Sequence, residues 1–268
     1  MLLYVFKSAE DFSFMGLVSC EKVRSRLKFK FCNQRINEGF MKRLLFVLIV
    51  HFFSMTALGQ LADGSDETLV KPLDYEARPF NDSDLKNILW MKEFKNIIVI
   101  NKANEGSDKQ TMRLYTDGKL KEFTRISTGR ENYEKGCAPN QIPKRDHCSK
   151  HAYWSQTPVG YFDVDDLVEN YFSNLWQTWM PYAVFFESGI ATHQAPAGTE
   201  SKLGGRASGG CVRLHPSAAP IIFNYVKNAG KGLIPKINRN GDVAKTAQGD
   251  IIREQGYKTL VIVQNVVK

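Results

Sequence analysis

Cysteine is scarce in this sequence. Five occur among 268 residues, and none stands in a CxxC pair, which disfavours the common structural zinc sites. The chain also lacks a Walker-type loop and a GxGxxG fingerprint, so nothing in it indicates a site for nucleotide phosphates. It shows no internal repeat either.

Apolar runs long enough to span a bilayer comfortably are missing too. The run at residues 44–53 follows Met41-Lys42-Arg43 and precedes a small-x-small site that ends at Gly59. This order is typical of a secretory signal peptide, so we predict one at residues 41–59. Because a signal peptide begins at the start codon, residues 1–40 are expected to be translated upstream sequence that the natural protein lacks. A cytoplasmic arm followed by a membrane anchor is the alternative.

Excess charge of one sign is small outside this N-terminal segment. Residues 1–59 hold nine Lys and Arg against four Asp and Glu, so they contribute +5 of the net charge of +8. The +3 that is left does not favour nucleic-acid binding. It fits a soluble protein that works near an anionic envelope.

Three cysteines follow the signal peptide, namely Cys137, Cys148 and Cys211. An oxidising compartment favours a disulfide between Cys137 and Cys148, within a polar insertion at residues 127–156, and leaves Cys211 as a reactive thiol. The competing interpretation is a zinc site made of Cys137, His147, Cys148 and His151. We favour the disulfide because two adjacent ligands are awkward to aim at one metal ion.

The rest of the chain is long enough for one domain with a full core. Residues 60–80 are predicted to be a linker and residues 81–268 a single domain. The pattern predicts short strands separated by turns, at residues 97–100, 111–115, 122–126, 157–164, 182–186 and 259–263. Helical patterns follow Asn81 and Ser217, and a further helix is predicted at residues 165–176. The predicted fold class is mainly β with two or three short helices.

A glycine-rich turn carries Cys211 in the sequence Ser208-Gly209-Gly210-Cys211-Val212-Arg213-Leu214, and His193 lies eighteen residues upstream. Only a few per cent of an ordinary thiol is ionised at neutral pH, because its pKa is about 8.5. An imidazole at hydrogen-bond distance raises that fraction and can later protonate a leaving amine. The glycines allow a sharp turn, so that N–H groups around Cys211 are expected to face a developing oxyanion. The pattern therefore predicts a Cys–His nucleophilic site.

Four motifs occur along the chain in one order. They are Ser127-Thr128-Gly129, Thr157-Pro158-Val159-Gly160, Met180-Pro181-Tyr182 followed by Ile190-Ala191-Thr192-His193, and the cysteine turn itself. With these motifs the chain resembles the L,D-transpeptidase catalytic domain family (YkuD type) over roughly residues 95–237. The resemblance implies a mixed, β-sandwich-like fold with an active-site cleft under a lid. It also implies chemistry without a metal or a cofactor.

By this resemblance the substrates are peptidoglycan stem peptides. Cys211 attacks the carbonyl of residue three of a tetrapeptide stem and expels the terminal D-Ala, with His193 as base and then as acid. The thioester passes to an amine, which forms a 3–3 cross-link or attaches a protein. Carbapenems are expected to acylate the same thiol. The implied location is the periplasm or cell envelope, after secretion across the inner membrane. No nucleic-acid partner and no stable membrane insertion after signal cleavage are implied.

Two other functions compete with transfer. In the first, water takes the thioester, so that the protein is an L,D-carboxypeptidase or an amidase that uses the same residues. In the second, the protein binds the cell wall with a decayed site, which the intact Cys211, His193 and Arg213 argue against.

The resemblance implies that the N–H groups of Gly210 and Cys211 form the oxyanion hole, and it also suggests supporting residues. Arg213 either holds a substrate carboxylate or braces the turn, and Ser208 shapes the loop. The aromatic side chains of Tyr182, Trp176 and Trp179 either line the cleft or belong to the core.

Two positions depart from the family's pattern. Gly209 stands where the family usually has His, and Gln194 stands where it has Gly after the catalytic histidine. Neither change removes the nucleophile or the base. Both are expected to alter specificity or the balance between transfer and hydrolysis.

Overall fold

The computed structural model describes residues 74–136 and 152–268. Predictions for residues 1–73 and 137–151 lie outside the described residues and stay predictions. They concern the upstream segment, the signal peptide, most of the linker, the disulfide between Cys137 and Cys148, and the alternative zinc site. Within the two described ranges, no helix has the length and apolar character needed to cross a membrane.

Thirteen strands, two α-helices and two 3₁₀ helices are present in the described ranges. The strands are β1 (Asn96–Asn101), β2 (Thr111–Thr116), β3 (Lys119–Ser127), β4 (Tyr133–Glu134), β5 (Tyr153–Trp154), β6 (Gly160–Asp163), β7 (Asp166–Ser173), β8 (Thr178–Glu187), β9 (Ile190–Gln194), β10 (Val212–Leu214), β11 (Lys231–Pro235), β12 (Arg253–Tyr257) and β13 (Thr259–Gln264). The helices are α1 (Asp84–Asn87), α2 (Ala219–Ala229) and the 3₁₀ helices Leu89–Glu93 and Glu200–Lys202.

Nine strands form one sheet in the order β6-β13-β1-β2-β3-β10-β9-β8-β7. Two neighbouring pairs are parallel, β1 with β13 and β10 with β9, and the other pairs are antiparallel. Two small sheets, β11–β12 and β4–β5, lie outside it. The last strand, β13, therefore lies inside the large sheet and is no appendage.

The centre of the large sheet is buried on both faces. Along β1, Ile98 and Ile100 join a core cluster that includes α2, whereas Ile97 and Val99 join a second cluster on the opposite face. A strand that is covered on both faces needs apolar side chains at successive positions, which explains the unbroken apolar runs of β1 and β13. The expectation of a mainly β fold with few helices is confirmed.

The prediction of a helix at residues 165–176 is wrong. Most of these residues form β7, which pairs antiparallel with β8. Phe172 stands opposite Trp179, and their ring centroids are 5.2 Å apart. Cross-strand aromatic pairs stabilise a sheet, and this tertiary pairing overrides the local helical pattern. The strands predicted at residues 97–100, 111–115, 122–126 and 259–263, and the helix after Ser217, are confirmed.

Candidate active site

The parallel pairing of β9 with β10 assembles the candidate site. Val212 stands opposite Thr192, and the next residue, Arg213, stands opposite His193. Side chains alternate between the faces of a sheet, so His193 and Arg213 share one face while Val212 turns to the core. Cys211 directly precedes β10, two residues before Arg213.

The sulfur of Cys211 is held close to β9. Its Sγ accepts a hydrogen bond from the amide of Ala191, with an N–Sγ distance of 3.5 Å. Ala191 is two residues before His193 on the same strand. Burial raises the pKa of the Cys211 thiol, and the Ala191 amide and the positive charge of Arg213 offset this only in part. The thiol is therefore neutral at rest.

The imidazole of His193 is buried, with 4% of its surface exposed. Its Nδ1 lies 2.7 Å from the carbonyl oxygen of Gln194, so the neutral tautomer donates from Nδ1 and keeps Nε2 as an acceptor. Burial lowers the pKa of His193 to about 4; the Gln194 carbonyl opposes this shift and the charge of Arg213 adds to it. The base is therefore unprotonated at neutral pH.

These two pKa shifts differ from the sequence-based expectation of an enlarged thiolate fraction. The thiol and the imidazole are both neutral, because burial penalises the charged form of each group. The resting site therefore favours a neutral pair over a thiolate and an imidazolium.

The turn that presents Cys211 is held by the buried hydroxyl of Ser208. Ser208 Oγ accepts a hydrogen bond from the Gly210 amide at 3.1 Å and donates one to the carbonyl oxygen of Cys211. The Ser208 amide donates to the Thr128 carbonyl at 3.0 Å. Ser208 is thus placed to shape the loop. The Gly210 amide, which we expected to face an oxyanion, is engaged with Ser208 and reaches an oxyanion only by changing partners.

All four sequence motifs meet at this turn, since Ala191 of the third contacts Cys211 as described above. Gly129 forms a parallel bridge with Ser208, and its amide donates to Thr157 Oγ1 at 2.9 Å. The same hydroxyl donates to the Gly210 carbonyl at 2.5 Å. A Cβ on Gly129 would lie 2.2 Å from the carbonyl oxygen of Ser155, so only glycine fits there. The motifs therefore share one hydrogen-bonded unit around the nucleophile turn.

The sequence profile of the L,D-transpeptidase catalytic domain (YkuD) matches residues 95–263, more than half of the chain. The chain belongs to this family. The match reaches β13 and so extends beyond the residues 95–237 over which the resemblance was seen. The predicted membership of this enzyme family is confirmed. A comparison with curated proteins gives no match.

Solved L,D-transpeptidase structures resemble the chain at low sequence identity. One from Xylanimonas cellulosilytica is 19% identical, with 64% of this chain and 61% of that chain covered and a TM-score of 0.40. One from Mycobacterium tuberculosis H37Rv is 19% identical, with 64% and 58% covered and a TM-score of 0.38. Mycobacterium tuberculosis L,D-transpeptidase 3 with a faropenem-derived adduct is 17% identical, with 64% and 61% covered and a TM-score of 0.39. The match thus spans about three fifths of the length of these chains.

Gly209, where the chain departs from the YkuD pattern, lies against the indole of Trp176. A Cβ built on Gly209 would lie 2.6 Å from Cζ2 and 2.9 Å from Cη2 of Trp176, in the turn between β7 and β8. The indole also packs edge-on against Tyr153, with ring centroids 4.9 Å apart. The space that the family's usual His side chain needs is therefore filled by Trp176.

The departure at Gln194 leaves the histidine's own hydrogen bond intact. His193 Nδ1 bonds to the backbone carbonyl of Gln194, which any residue supplies. The bulkier side chain therefore changes the neighbourhood of the base without changing which ring nitrogen is left as the acceptor.

The structure separates the three aromatic residues that were candidates for the cleft. Trp176 lies on the nucleophile turn, as above. Tyr182 packs against Phe223 of α2, with ring centroids 5.8 Å apart, on the side of the core cluster. Trp179 is 59% exposed on the β7–β8 hairpin, beside Phe172. The contact of the Tyr182 ring with the core helix agrees with the core alternative, and its cleft-lining role stays a prediction.

Sequence analysis missed a buried charge that adjoins these motifs. Lys102, directly after β1, is 1% exposed, and its Nζ donates to Asp74 Oδ1 at 3.1 Å, to Glu131 Oε2 at 3.1 Å and to the Thr157 carbonyl at 2.8 Å. The sequence signal for this buried charge is a lysine next to an unbroken apolar strand. A lysine so placed is either solvated or paired, and the sequence does not name its partners.

Proposed function

We propose that the protein is a cysteine L,D-transpeptidase that acts on peptidoglycan stem peptides in the periplasm or cell envelope. The observation that carries the proposal is the contact of Cys211 Sγ with the amide of Ala191, two residues before His193 on β9. The free Nε2 of His193 and the neutral state of both groups support a thiol that is deprotonated as it attacks.

The first half-reaction forms a thioester. Cys211 Sγ bonds to the carbonyl carbon of residue three of a tetrapeptide stem while its proton passes to His193 Nε2. The tetrahedral intermediate then collapses, the C–N bond to D-Ala breaks, and the imidazolium protonates the leaving amine. An imidazolium whose pKa is about 4 is a strong acid for this step, so the same burial that weakens His193 as a base favours it as the acid.

The second half-reaction regenerates the thiol. An acceptor amine gives a proton to Nε2 and attacks the thioester carbonyl, and Sγ recovers the proton as the C–S bond breaks. A stem-peptide amine yields a 3–3 cross-link, and an amine on a protein yields attachment to the wall. Water in place of the amine yields an L,D-carboxypeptidase, which is the second candidate function.

The Cys211 amide is the oxyanion donor that we propose, because the Gly210 amide already donates to Ser208 Oγ. A single oxyanion donor contributes about 10²- to 10³-fold to an acyl-transfer rate. Arg213 is buried close enough to both reacting groups for its charge to act on them, and we propose that it binds a substrate carboxylate. Bracing of the turn by Arg213 is the alternative.

The test is incubation of the full-length protein with purified tetrapeptide-bearing muropeptides, followed by mass spectrometry. Cross-linked dimers together with free D-Ala support transfer, and tripeptide monomers alone support the hydrolytic alternative. Cys211→Ala serves as the control and should leave the muropeptides unchanged. Unchanged substrate with the wild-type protein, or equal turnover by Cys211→Ala, would reject the proposal.

A further inference from the structure

We propose that the hydroxyl of Thr157 is a positioning group for the oxyanion donor, and that Lys102 anchors it. This inference rests on the proposed function and deepens it. It concerns one peptide unit, the one that joins Gly210 to Cys211.

The direction of the Cys211 N–H is set through the Gly210 carbonyl. The two groups belong to one peptide unit, and in a planar trans peptide they point in opposite directions. Thr157 Oγ1 donates to the Gly210 carbonyl oxygen and so fixes where that oxygen points. The Cys211 N–H is thereby aimed away from Thr157.

The Thr157 hydroxyl has no freedom to turn elsewhere. It is fully buried and accepts a hydrogen bond from the Gly129 amide at 2.9 Å. A hydroxyl carries one hydrogen, which in this arrangement goes to the Gly210 carbonyl. Thr157 Oγ1 therefore links the Gly129 amide, from which it accepts, to the Gly210 carbonyl, to which it donates.

The backbone of Thr157 is held by a buried ion pair. Its carbonyl accepts from Lys102 Nζ at 2.8 Å, and its amide donates to Glu131 Oε1 at 3.3 Å. The other oxygen of Glu131 pairs with Lys102 at 3.1 Å, which closes a ring of contacts. Asp74 accepts from the same ammonium; burial alone would raise the pKa of Asp74, but the Val159 amide and the Lys102 charge lower it. Thr157 thus stands on a rigid, charge-paired support.

Ser208 and Thr157 divide the turn between them. Ser208 Oγ engages the Gly210 amide and the Cys211 carbonyl, which belong to the peptide units on either side of the central one. Thr157 engages the central unit, which carries the proposed oxyanion donor. Loss of the Thr157 hydroxyl should therefore free the donor while Ser208 still holds the rest of the turn.

Two thiol reagents separate oxyanion stabilisation from the general state of Cys211. The thiol attacks the β-lactam carbonyl of imipenem, and an oxyanion forms on the carbonyl oxygen. The ring C–N bond then opens, the nitrogen takes the thiol proton, and the sulfur is left acylated. Iodoacetamide is attacked at a saturated carbon and loses iodide, so no oxyanion forms. A misdirected Cys211 N–H should slow the first reaction and spare the second.

The experiment measures both rates on the full-length protein, by intact mass for imipenem and by peptide mapping of Cys211 for iodoacetamide. Thr157→Val should slow the maximal rate of acylation by about 10- to 100-fold, because a misdirected donor loses part of the 10²- to 10³-fold that one donor supplies. Alkylation should stay within about twofold of wild type. Thr157→Ser keeps the hydroxyl and should restore acylation to within about threefold.

Thr192→Val is the matched control. Thr192 is also fully buried, on the core side of β9, and its hydroxyl has no hydrogen-bond partner among the described residues. The same substitution there should change neither rate by more than about twofold. Thr157→Ala, with thermal unfolding measured for every variant, provides a second hydroxyl deletion in case the valine disturbs folding.

The outcomes distinguish failure of the positioning role of Thr157 from failure of the proposed function. Equal slowing of acylation and alkylation by Thr157→Val and Thr157→Ala, or no slowing of either, overturns the positioning role while the proposed function stands. A wild-type protein that iodoacetamide alkylates but that neither imipenem nor tetrapeptide muropeptides acylate overturns the proposed function, and the positioning role falls with it.

Discussion

The nucleophile turn and the β7–β8 hairpin meet at one contact but are built in different ways. The turn, residues 208–211, is held by hydrogen bonds from two buried hydroxyls, those of Ser208 and Thr157. The hairpin is held by aromatic pairs, and one of its tryptophans is 59% exposed. Hydrogen bonds fix directions and ring contacts fill space. We therefore expect changes near the turn to alter the rate of chemistry, and changes in the outer hairpin to alter stability alone.

The largest effect is expected at the support of the turn. Lys102→Met removes the partner of two carboxylates and should lower the free energy of unfolding by about 3–5 kcal/mol, towards the lower figure because Asp74 is half exposed. Urea unfolding measures it. Lys236→Met, which breaks an exposed pair with Glu254 at 3.0 Å, is the control and should cost less than about 1 kcal/mol. Equal costs for both variants would contradict the anchoring role of Lys102.

The next effect concerns pH. The pKa of His193 is about 4 in the folded protein against 6.5 for the ordinary group, so the unfolded chain binds more protons between these values. Its contribution to stability is complete above pH 6.5 and is lost as the pH falls towards 4. The wild type should therefore lose about 3 kcal/mol more than His193→Gln between pH 7 and pH 4.

The comparison of these two proteins cancels other titrating groups. Burial raises the pKa of Asp163 to about 6, which acts in the opposite direction but equally in the wild type and the variant. Chemical unfolding at a series of pH values measures the difference. Parallel stability curves for the two proteins would mean that His193 is not buried in its neutral form.

The contact between the two regions should show strong coupling. Gly209→His places a side chain where the Trp176 indole lies and should destabilise the protein by about 1–3 kcal/mol through overpacking. Adding Trp176→Gly should restore much of this loss, whereas adding Trp179→Gly should not. Thermal unfolding of the single and double variants gives the coupling. Additive effects of Gly209→His and Trp176→Gly would show that the two positions do not compete for space.

The smallest effect is expected at the outer part of the hairpin. Phe172→Ala removes an exposed ring that contacts Trp179, and should cost about 0.5–1.5 kcal/mol. The rate of Cys211 acylation should stay unchanged, because neither ring lies on the nucleophile turn. A loss of acylation comparable to that of Thr157→Val would remove the distinction between the two regions.

Sequence reasoning reached the parts of the molecule that depend on local pattern. The strands around residues 97–126 follow from short β-prone runs and a strong turn signal, and the cysteine turn and His193 follow from motif order. It failed at residues 165–176, where antiparallel pairing with the next strand, β8, decides the structure. Local propensity carries no information about such a partner.

The missed features of the site share a physical cause. The pKa directions of Cys211 and His193 depend on burial by the whole fold, so a motif alone suggests a thiolate where the structure favours a neutral pair. The contact of Gly209 with Trp176, and that of Lys102 with Thr157, join residues 33 and 55 positions apart. Neither pair has a spacing that a sequence pattern would reveal.

Trapping of the covalent intermediate tests the central claim most directly. The full-length protein is quenched in acid during turnover of a tetrapeptide muropeptide and then digested for peptide mapping. The account predicts a tripeptide acyl group, joined as a thioester, on the peptide that contains Cys211. Turnover with no such adduct, or with the acyl group on another residue, would contradict it.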